Sequence, residues 1–406
     1  MLKTVDVGQL RPGMFIHDLD CGWMAHPFVR SRFLLAADDE IDRIRGAGLS
    51  KVVIDCARGL DVEDAPNVEE VRAATEAGIV ALAAAPVAGM RTALDEEVER
   101  AAAIRRQATG LVKSVMRDVR LGKAVELDKV APVVESVTAS ILRNAAALVG
   151  LSVIKDKDDY TFLHSVSVCT LLVAFCRSRN LDAQTIRQAG IGGLLHDTGK
   201  ALIPDAILNK PGRLSEEEFA IVRRHPRDGY DLLRRSPGIG AIPLDITLHH
   251  HERHDGGGYP ERLAGGAIGE LARMAAIVDV YDAITADRCY HKGLAPAQAL
   301  RKMYEWSMQH FDPVLMQEFI RCVGIYPVGT LVLLESDRLA VVIEPNDSLL
   351  LRPKVRVFYD VRRRAYCTPA TLDLARPDGH GGADRIVRHE SAETWGLDPA
   401  RCTAHA

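Results

Sequence analysis

Hydrophobic and polar positions change rhythm several times along the chain. Residues 1–57 alternate in a strand-like way, turn helical over 34–47 with Leu35, Ile41 and Ile44 apolar, and return to strand composition in Lys51-Val-Val-Ile-Asp55. This predicts a small α+β module. Residues 58–92 are acidic and then rich in Ala, Gly and Pro, the composition of a linker. From Leu94 the period is helical, with Val130, Val133, Val134, Val137 and Ile141 on one stripe behind Asp128, an N-cap candidate; linker and connecting helices together occupy 58–154. Helical patterning continues over 155–324, where Ser215-Glu-Glu-Glu218 fits a capping box. Beyond Pro327 the period shortens: Thr330-Leu-Val-Leu-Leu334 and Leu339-Ala-Val-Val-Ile343 flank Ser336-Asp337 as a hairpin, and Lys354-Val-Arg-Val-Phe358 adds a third strand, so 325–406 reads as a β extension and tail. No internal repeat is visible.

Composition narrows the function classes. At roughly 150 residues per domain, 406 residues suggest two or three domains. Aromatic residues are only 5%, so the core must be built from Ala, Val, Leu and Ile. A net charge of −4 and a pI near 6.4 argue against a bulk grip on DNA or RNA polymer, while leaving room for a local pocket for one small anion. The uncharged runs 77–90 and 160–176 fall short of the ~20 apolar residues of a spanning helix, and Pro86 and His164 interrupt them. Lys3 and Asp6 stand where a signal peptide would be apolar. Eight cysteines occur without a CxxC pair, against zinc-finger and thioredoxin-type sites. A cytoplasmic chain without a membrane span is expected.

The histidines carry the candidate chemistry. His164, His196-Asp197, His225, His249-His250-His251 and Asp279 stand roughly one helix or helix pair apart, as required when a bundle builds a metal site from side chains projecting inward off facing helices. Imidazole and carboxylate without thiolate favour iron, manganese or another ion tolerant of octahedral coordination. A lone helical histidine is more often a core or surface residue than a ligand, so the argument rests on the series.

These residues carry a resemblance. Gly193-Leu-Leu-His-Asp-Thr-Gly-Lys200 resembles the HD motif of the HD superfamily of metal-dependent phosphohydrolases, and His250-His-Glu-Arg-His-Asp-Gly-Gly-Gly-Tyr-Pro260 resembles the signature of the HD-GYP family. Ile207-Leu-Asn-Lys-Pro-Gly212, His225-Pro226 with Gly229, Ala272-Arg273, Asp279-Val-Tyr-Asp-Ala283, Arg288 with Tyr290, and Phe311-Asp-Pro313 follow in the family's order, over about 159–323. Leu10-Arg-Pro-Gly-Met-Phe15 and Phe28 resemble a domain of unknown function that often precedes HD-GYP; Gly324-Ile-Tyr-Pro-Val-Gly-Thr-Leu-Val332 resembles the family's C-terminal β extension.

The resemblance implies a mainly α fold: a helical-bundle HD-GYP domain with a small N-terminal α+β module and a C-terminal β extension. It implies a phosphodiesterase that opens cyclic di-GMP, a bacterial second messenger, to pGpG, with a further step to GMP left open. Attack on phosphorus would come from a hydroxide bridging two divalent metal ions, Fe or Mn; two cations lower the pKa of water and clamp the attacking and leaving oxygens. His164, His196, Asp197 and Asp279 match ligands of one metal, and Asp197, His225, His250 and His251 those of the other. Lys200, three residues after Asp197, joins it as a catalytic residue, its ammonium directed at the nucleophile or a phosphate. Arg288 suits a phosphate oxygen. Gly258, Tyr259 and Pro260 match the loop that places substrate and docks GGDEF-domain partners, although Gly256-Gly-Gly258 also reads as a plain turn and Tyr259 as a packing residue. The competing classes are a non-catalytic nucleotide sensor or GGDEF adaptor and a hydrolase of another cyclic dinucleotide; the complete ligand set argues for the enzyme. Oligomeric state is not legible.

Departures from the family pattern are His254 for Trp, Cys289 for Pro, His291 for a basic residue and Gln309 for Gly. His249 is an extra histidine outside the ligand register. Some family members hold a third ion with a Glu four residues before the first ligand histidine; Tyr160 stands there, which predicts two metals.

Overall fold

The computed structural model describes residues 1–19, 32–46, 49, 51–71, 74, 94–153, 160–210, 212, 214–286, 293–307, 309–346, 349, 351–376, 384–390 and 394–397. They form two compact units, one of 1–78 with 210–219 and one of 79–209 with 220–406.

In the first unit, β1 (Leu2–Asp6), β2 (Phe15–Asp18), β3 (Phe33–Leu34) and β4 (Lys51–Asp55) make an antiparallel sheet in the order β1-β4-β2-β3. Helix α1 (Asp38–Gly46) begins with Asp38, Asp39 and Glu40 and ends with Arg43 and Arg45, charges that complement its dipole. Ile41 and Ile44, one turn apart, pack with Val5, Ile16, Val52 and Ile54. The α+β module expected from the pattern is therefore present.

The second unit is a helical bundle followed by a sheet. Its helices are α2 (Leu94–Arg120), α3 (Leu127–Val153), α4 (Tyr160–Ser178), α5 (Ala183–Leu195) and α6 (Asp205–Leu208). After α7 (Glu216–Val222), whose start lies with the first unit, come α8 (His225–Arg234), α9 (Ala241–His249), α10 (Glu270–Thr285), α11 (Pro296–Glu305) and α12 (Pro313–Val323). Ser215 and Glu218 form the expected capping box: the Glu218 amide donates to Ser215 Oγ and the Ser215 amide to Glu218 Oε2. Asp128 lies inside the first turn of α3 rather than capping it. The valine stripe of α3 is buried as its spacing demanded, in one core with Ala101, Ala108 and Val112 of α2 and Val168, Leu172 and Phe175 of α4. The connecting helices thus share the core of the bundle that carries the histidines. Arg120, in the last turn of α2, donates to the Ala201 carbonyl and pairs with Asp205.

Two helical stretches, Leu127–Leu151 and Thr161–Ser178, are long and apolar enough to cross a membrane by length and composition; 78% of the second is buried inside the bundle. A buried helix is apolar all round for the same reason a spanning one is. Strands β5 (Leu331–Leu334), β6 (Arg338–Glu344), β7 (Lys354–Asp360), β8 (Ala365–Asp373) and β9 (Ile386–His389) form an antiparallel sheet ordered β8-β7-β6-β5-β9. The hairpin turns at Ser336-Asp337 as expected, with Asp337 at φ 57°. Strands β8 and β9 were not legible because both are edge strands, β8 mostly exposed and β9 half so, without alternation of buried and exposed positions.

One buried ion pair links α2 to α3. Glu97 is wholly buried and accepts from Arg143 Nε and Nη2, each at 2.7 Å, and from Ser140 Oγ at 2.7 Å. The Arg143 guanidinium, working against burial, holds the Glu97 carboxyl below its ordinary 4.5. A carboxylate with a depressed folded pKa contributes stability above its unfolded value and loses it as pH falls through the folded one. Glu97→Gln is expected to destabilise the bundle by about 2 kcal/mol near neutral pH. In denaturant unfolding, wild type and variant should converge as the pH is brought below 4.5; a gap that persists in acid would show that the charge is not responsible.

Candidate metal centre

Each candidate ligand sits where a helix begins, ends or is deeply buried. His164 lies in α4 and Asp279 in α10. Asp182 caps α5 by accepting the Thr185 amide, and the helix ends at His196. Asp197 follows at φ −98°, ψ 9°, the bridge region in which active-site residues recur, and a 3-10 turn over Thr198–Leu202 carries Lys200. His225 opens α8, and His250 and His251 follow the end of α9. Gly199 allows this turn to meet α8, since a Cβ there would lie 2.0 Å from the His225 carbonyl oxygen.

The seven side chains converge in one buried cluster. Three sets have ligand atoms within 4.8 Å of one another: His164, His196 and Asp279; His225, His250 and His251; and His196, Asp197 and His250 between them. Asp197 divides its oxygens. Oδ2 lies 3.2 Å from His196 Nε2 and 3.7 Å from His164 Nε2, whereas Oδ1 lies 3.3 Å from His225 Nε2 and 3.8 Å from His250 Nε2. Asp279 Oδ1 is 2.8 Å from His164 Nε2, and its Oδ2 is 3.8 Å from His251 Nδ1. Lys200 donates from Nζ to Asp197 Oδ2 at 2.5 Å.

The outer ring nitrogens settle which nitrogens face inward. The Nδ1 atoms of His196, His225 and His250 meet the carbonyl oxygens of Gly193, Val222 and Thr247 at 2.8, 2.7 and 2.9 Å. A carbonyl only accepts, so these Nδ1 atoms carry a proton and Nε2 faces the cluster, where it offers a lone pair whenever the ring is neutral. His164 Nδ1 lies 2.6 Å from Asp282 Oδ2, the carboxylate–histidine arrangement that orients metal ligands.

Burial works against charge throughout the cluster, and the neighbours decide the outcome. Burial raises the carboxyls of Asp197 and Asp279, but His196 and Lys200 around the first, and His164 and His196 around the second, hold both well below the usual range. Burial lowers His196, yet Asp197 and Asp279 override it and raise it to about 10. Burial and the adjoining histidines push His250 far down, and His251 falls to about 3 through burial and His225. Buried His196 Nε2 and Asp197 Oδ1 make no hydrogen bond among the described residues. Unsatisfied buried atoms are rare, and a cation is one thing that satisfies them. The donor set of imidazole and carboxylate, without thiolate, fits a divalent metal.

The loop after His251 packs over this cluster. A Cβ on Gly258 would lie 2.4 Å from the Arg253 amide nitrogen, so only glycine fits. The Tyr259 ring lies tilted against His251 with the centroids 4.8 Å apart, and its amide donates to the His251 carbonyl at 3.2 Å; Pro260 follows through a cis bond. Buried Glu252 accepts the amides of Glu261 and Leu263 at 2.6 and 3.1 Å. His249 turns instead to Asp245, with its Nδ1 2.7 Å from Oδ1. The Gln309 carbonyl accepts the Asp255 amide at 2.8 Å, and the His310 carbonyl the His254 amide at 3.1 Å. Arg288, Cys289 and His291 lie outside the described residues, as does the side chain of Tyr160.

Sequence reasoning missed Asp282 and the anchoring role of Glu252. Asp282 was detectable, because it follows Asp279 by three residues on one helix and so shares its face. Glu252 makes backbone contacts that no spacing rule encodes. Asp282→Ala is expected to weaken metal affinity by about 10–100-fold, with Asp282→Asn closer to wild type because an amide oxygen still accepts from Nδ1. Metal titration followed by elemental analysis checks this; equal losses in both variants would tie the effect to the negative charge instead.

Known proteins resemble the chain, one of them over nearly its whole length. A domain of unknown function, DUF3391, matches residues 2–130, and an HD domain matches residues 149–315. Cyclic di-GMP phosphodiesterase PA4108 of Pseudomonas aeruginosa is 44% identical over 402 residues, spanning 97% of this chain and 94% of that protein. The cyclic di-GMP phosphodiesterase response regulator RpfG of Xanthomonas campestris pv. campestris is 39% identical over 171 residues, 41% of this chain and 44% of the relative. The 3'3'-cGAMP-specific phosphodiesterase 1 of Vibrio cholerae is 32% identical over 176 residues, 43% of this chain and 41% of the relative. A match of nearly full length, over both the DUF3391 segment and the helices that carry the His/Asp cluster, leaves one assignment: the chain belongs to the HD-GYP family of HD-domain phosphohydrolases.

Proposed function

We propose that the protein is a metal-dependent phosphodiesterase that hydrolyses cyclic di-GMP to pGpG, in the cytoplasm, with His164, His196, Asp197, His225, His250, His251 and Asp279 holding two divalent ions, Fe or Mn. The observation that carries this reading is the divided carboxylate of Asp197, one oxygen toward His164 and His196 and the other toward His225 and His250. The near full-length similarity to a cyclic di-GMP phosphodiesterase supports the substrate.

Divalent ions supply Lewis acidity, offsetting the charge of the phosphodiester and making water acidic enough to attack phosphorus near neutral pH. The protein's own groups do the rest. With His196, Lys200 keeps Asp197 ionised, and it brings an ammonium, with 23% of its side chain exposed, to the edge of the cluster where a phosphate oxygen arrives. Hydrolysis forms one P–O bond from water and breaks the bond to a ribose 3′ oxygen, which leaves as a hydroxyl on a linear dinucleotide with a 5′ phosphate. Arg288 is assigned to a non-bridging phosphate oxygen by its place in the family motif. The loop of Gly258, Tyr259 and Pro260, packed on His251, borders the substrate and is the surface offered to GGDEF-domain partners. A sensor or adaptor role is disfavoured because every ligand position is filled.

Anaerobic purification with metal analysis should find two equivalents of Fe or Mn per chain; a fully occupied third position near His164 would implicate Tyr160 or an unassigned carboxylate. Chromatography of the reaction should identify pGpG, alone or with GMP. Asp197→Ala should abolish turnover, and retention of more than about a tenth of wild-type activity at saturating metal would sink the bridging assignment. Arg288→Ala should raise KM by the loss of a charge-assisted hydrogen bond of ~1.5–3 kcal/mol while metal content stays intact. Lost metal with unchanged kinetics in the remaining holoenzyme would make Arg288 structural.

A further inference from the structure

We infer that Arg223 binds the second phosphate of the cyclic dinucleotide, the one not being cleaved, and so helps the site prefer a two-phosphate ring over a simple diester. The inference rests on the substrate class proposed above.

Arg223 lies between α7 and α8, two residues before His225. The backbone there is held by the metal-site geometry itself, because the Val222 carbonyl accepts from His225 Nδ1 at 2.7 Å. The Arg223 guanidinium carbon lies 5.1 Å over the Tyr259 ring centroid, and that ring is 4.8 Å from the His251 ring. The order imidazole, phenol, guanidinium therefore climbs from the buried cluster to the surface, where Arg223 is exposed. A cyclic dinucleotide carries two phosphodiesters in one ring. When one is held against the buried ligands, the other points outward, toward this rim. A guanidinium pairs well with oxyanions, and its contact with the Tyr259 ring limits the rotamers it must lose on binding. A substrate with a single phosphodiester has nothing to place there.

The test compares kcat/KM for cyclic di-GMP with kcat/KM for bis(p-nitrophenyl) phosphate, using holoenzyme with its metal content measured. In Arg223→Ala the ratio should fall about tenfold, through KM for cyclic di-GMP, as for one charge-assisted hydrogen bond partly screened by solvent. Arg223→Lys should recover part of the loss and Arg223→Glu should deepen it, an order set by charge and not by packing. An unchanged ratio, or equal losses with all three replacements, would overturn the inference while leaving the proposed function standing. Wild-type enzyme that cleaves the small diester and not cyclic di-GMP would overturn the proposed substrate, and this inference with it.

Discussion

The centre depends on the divided carboxylate of Asp197. Both its oxygens are buried, and each faces a different group of histidines. An ionised carboxylate in that position would be costly without counter-charge, and Lys200 at 2.5 Å supplies only part of it. Asp279 adds a second buried carboxylate. The pocket therefore gathers two buried carboxylates and the inward ring nitrogens of the histidines, a donor set that suits cations. Its position in the backbone bridge region, between the end of α5 and a 3-10 turn, lets the aspartate face two ways where a helix interior would aim it along one face.

The fold invests in aiming the candidate ligands. Three histidines are locked through Nδ1 to carbonyls one turn upstream on their own chain segment, so local helix geometry sets the tautomer. His164 sits inside α4, where the upstream carbonyls serve the helix, and takes Asp282 of α10 instead. The His164 pairing therefore depends on α4 and α10 keeping their packing, while the other three survive small shifts between helices. Glu252 acts similarly on the loop, pinning two backbone amides beside the ligand pair His250-His251. That bond pair holds Tyr259 against His251 and so fixes the height of the rim on which Arg223 rests.

Much of this was legible from the chain. The valine stripe of α3, the pair Ile41 and Ile44 of α1 and the hairpin around Asp337 follow from periodicity, because burial of one face fixes which residues share it. Residue type and order marked a series of imidazoles and carboxylates on successive helices, and the resemblance to the HD-GYP motifs picked the seven candidate ligands out of it. Edge strands β8 and β9 were hidden because half-solvated strands need no apolar alternation. What the tertiary structure alone decided is everything that crosses between elements: the division of Asp197, the Asp282 bond to His164, the Glu252 anchor and the guanidinium over Tyr259. Spacing along a helix sets which residues share a face, whereas distances such as 2.6 Å from Asp282 to His164 and 5.1 Å from Arg223 to the Tyr259 ring depend on packing angles that the whole core determines.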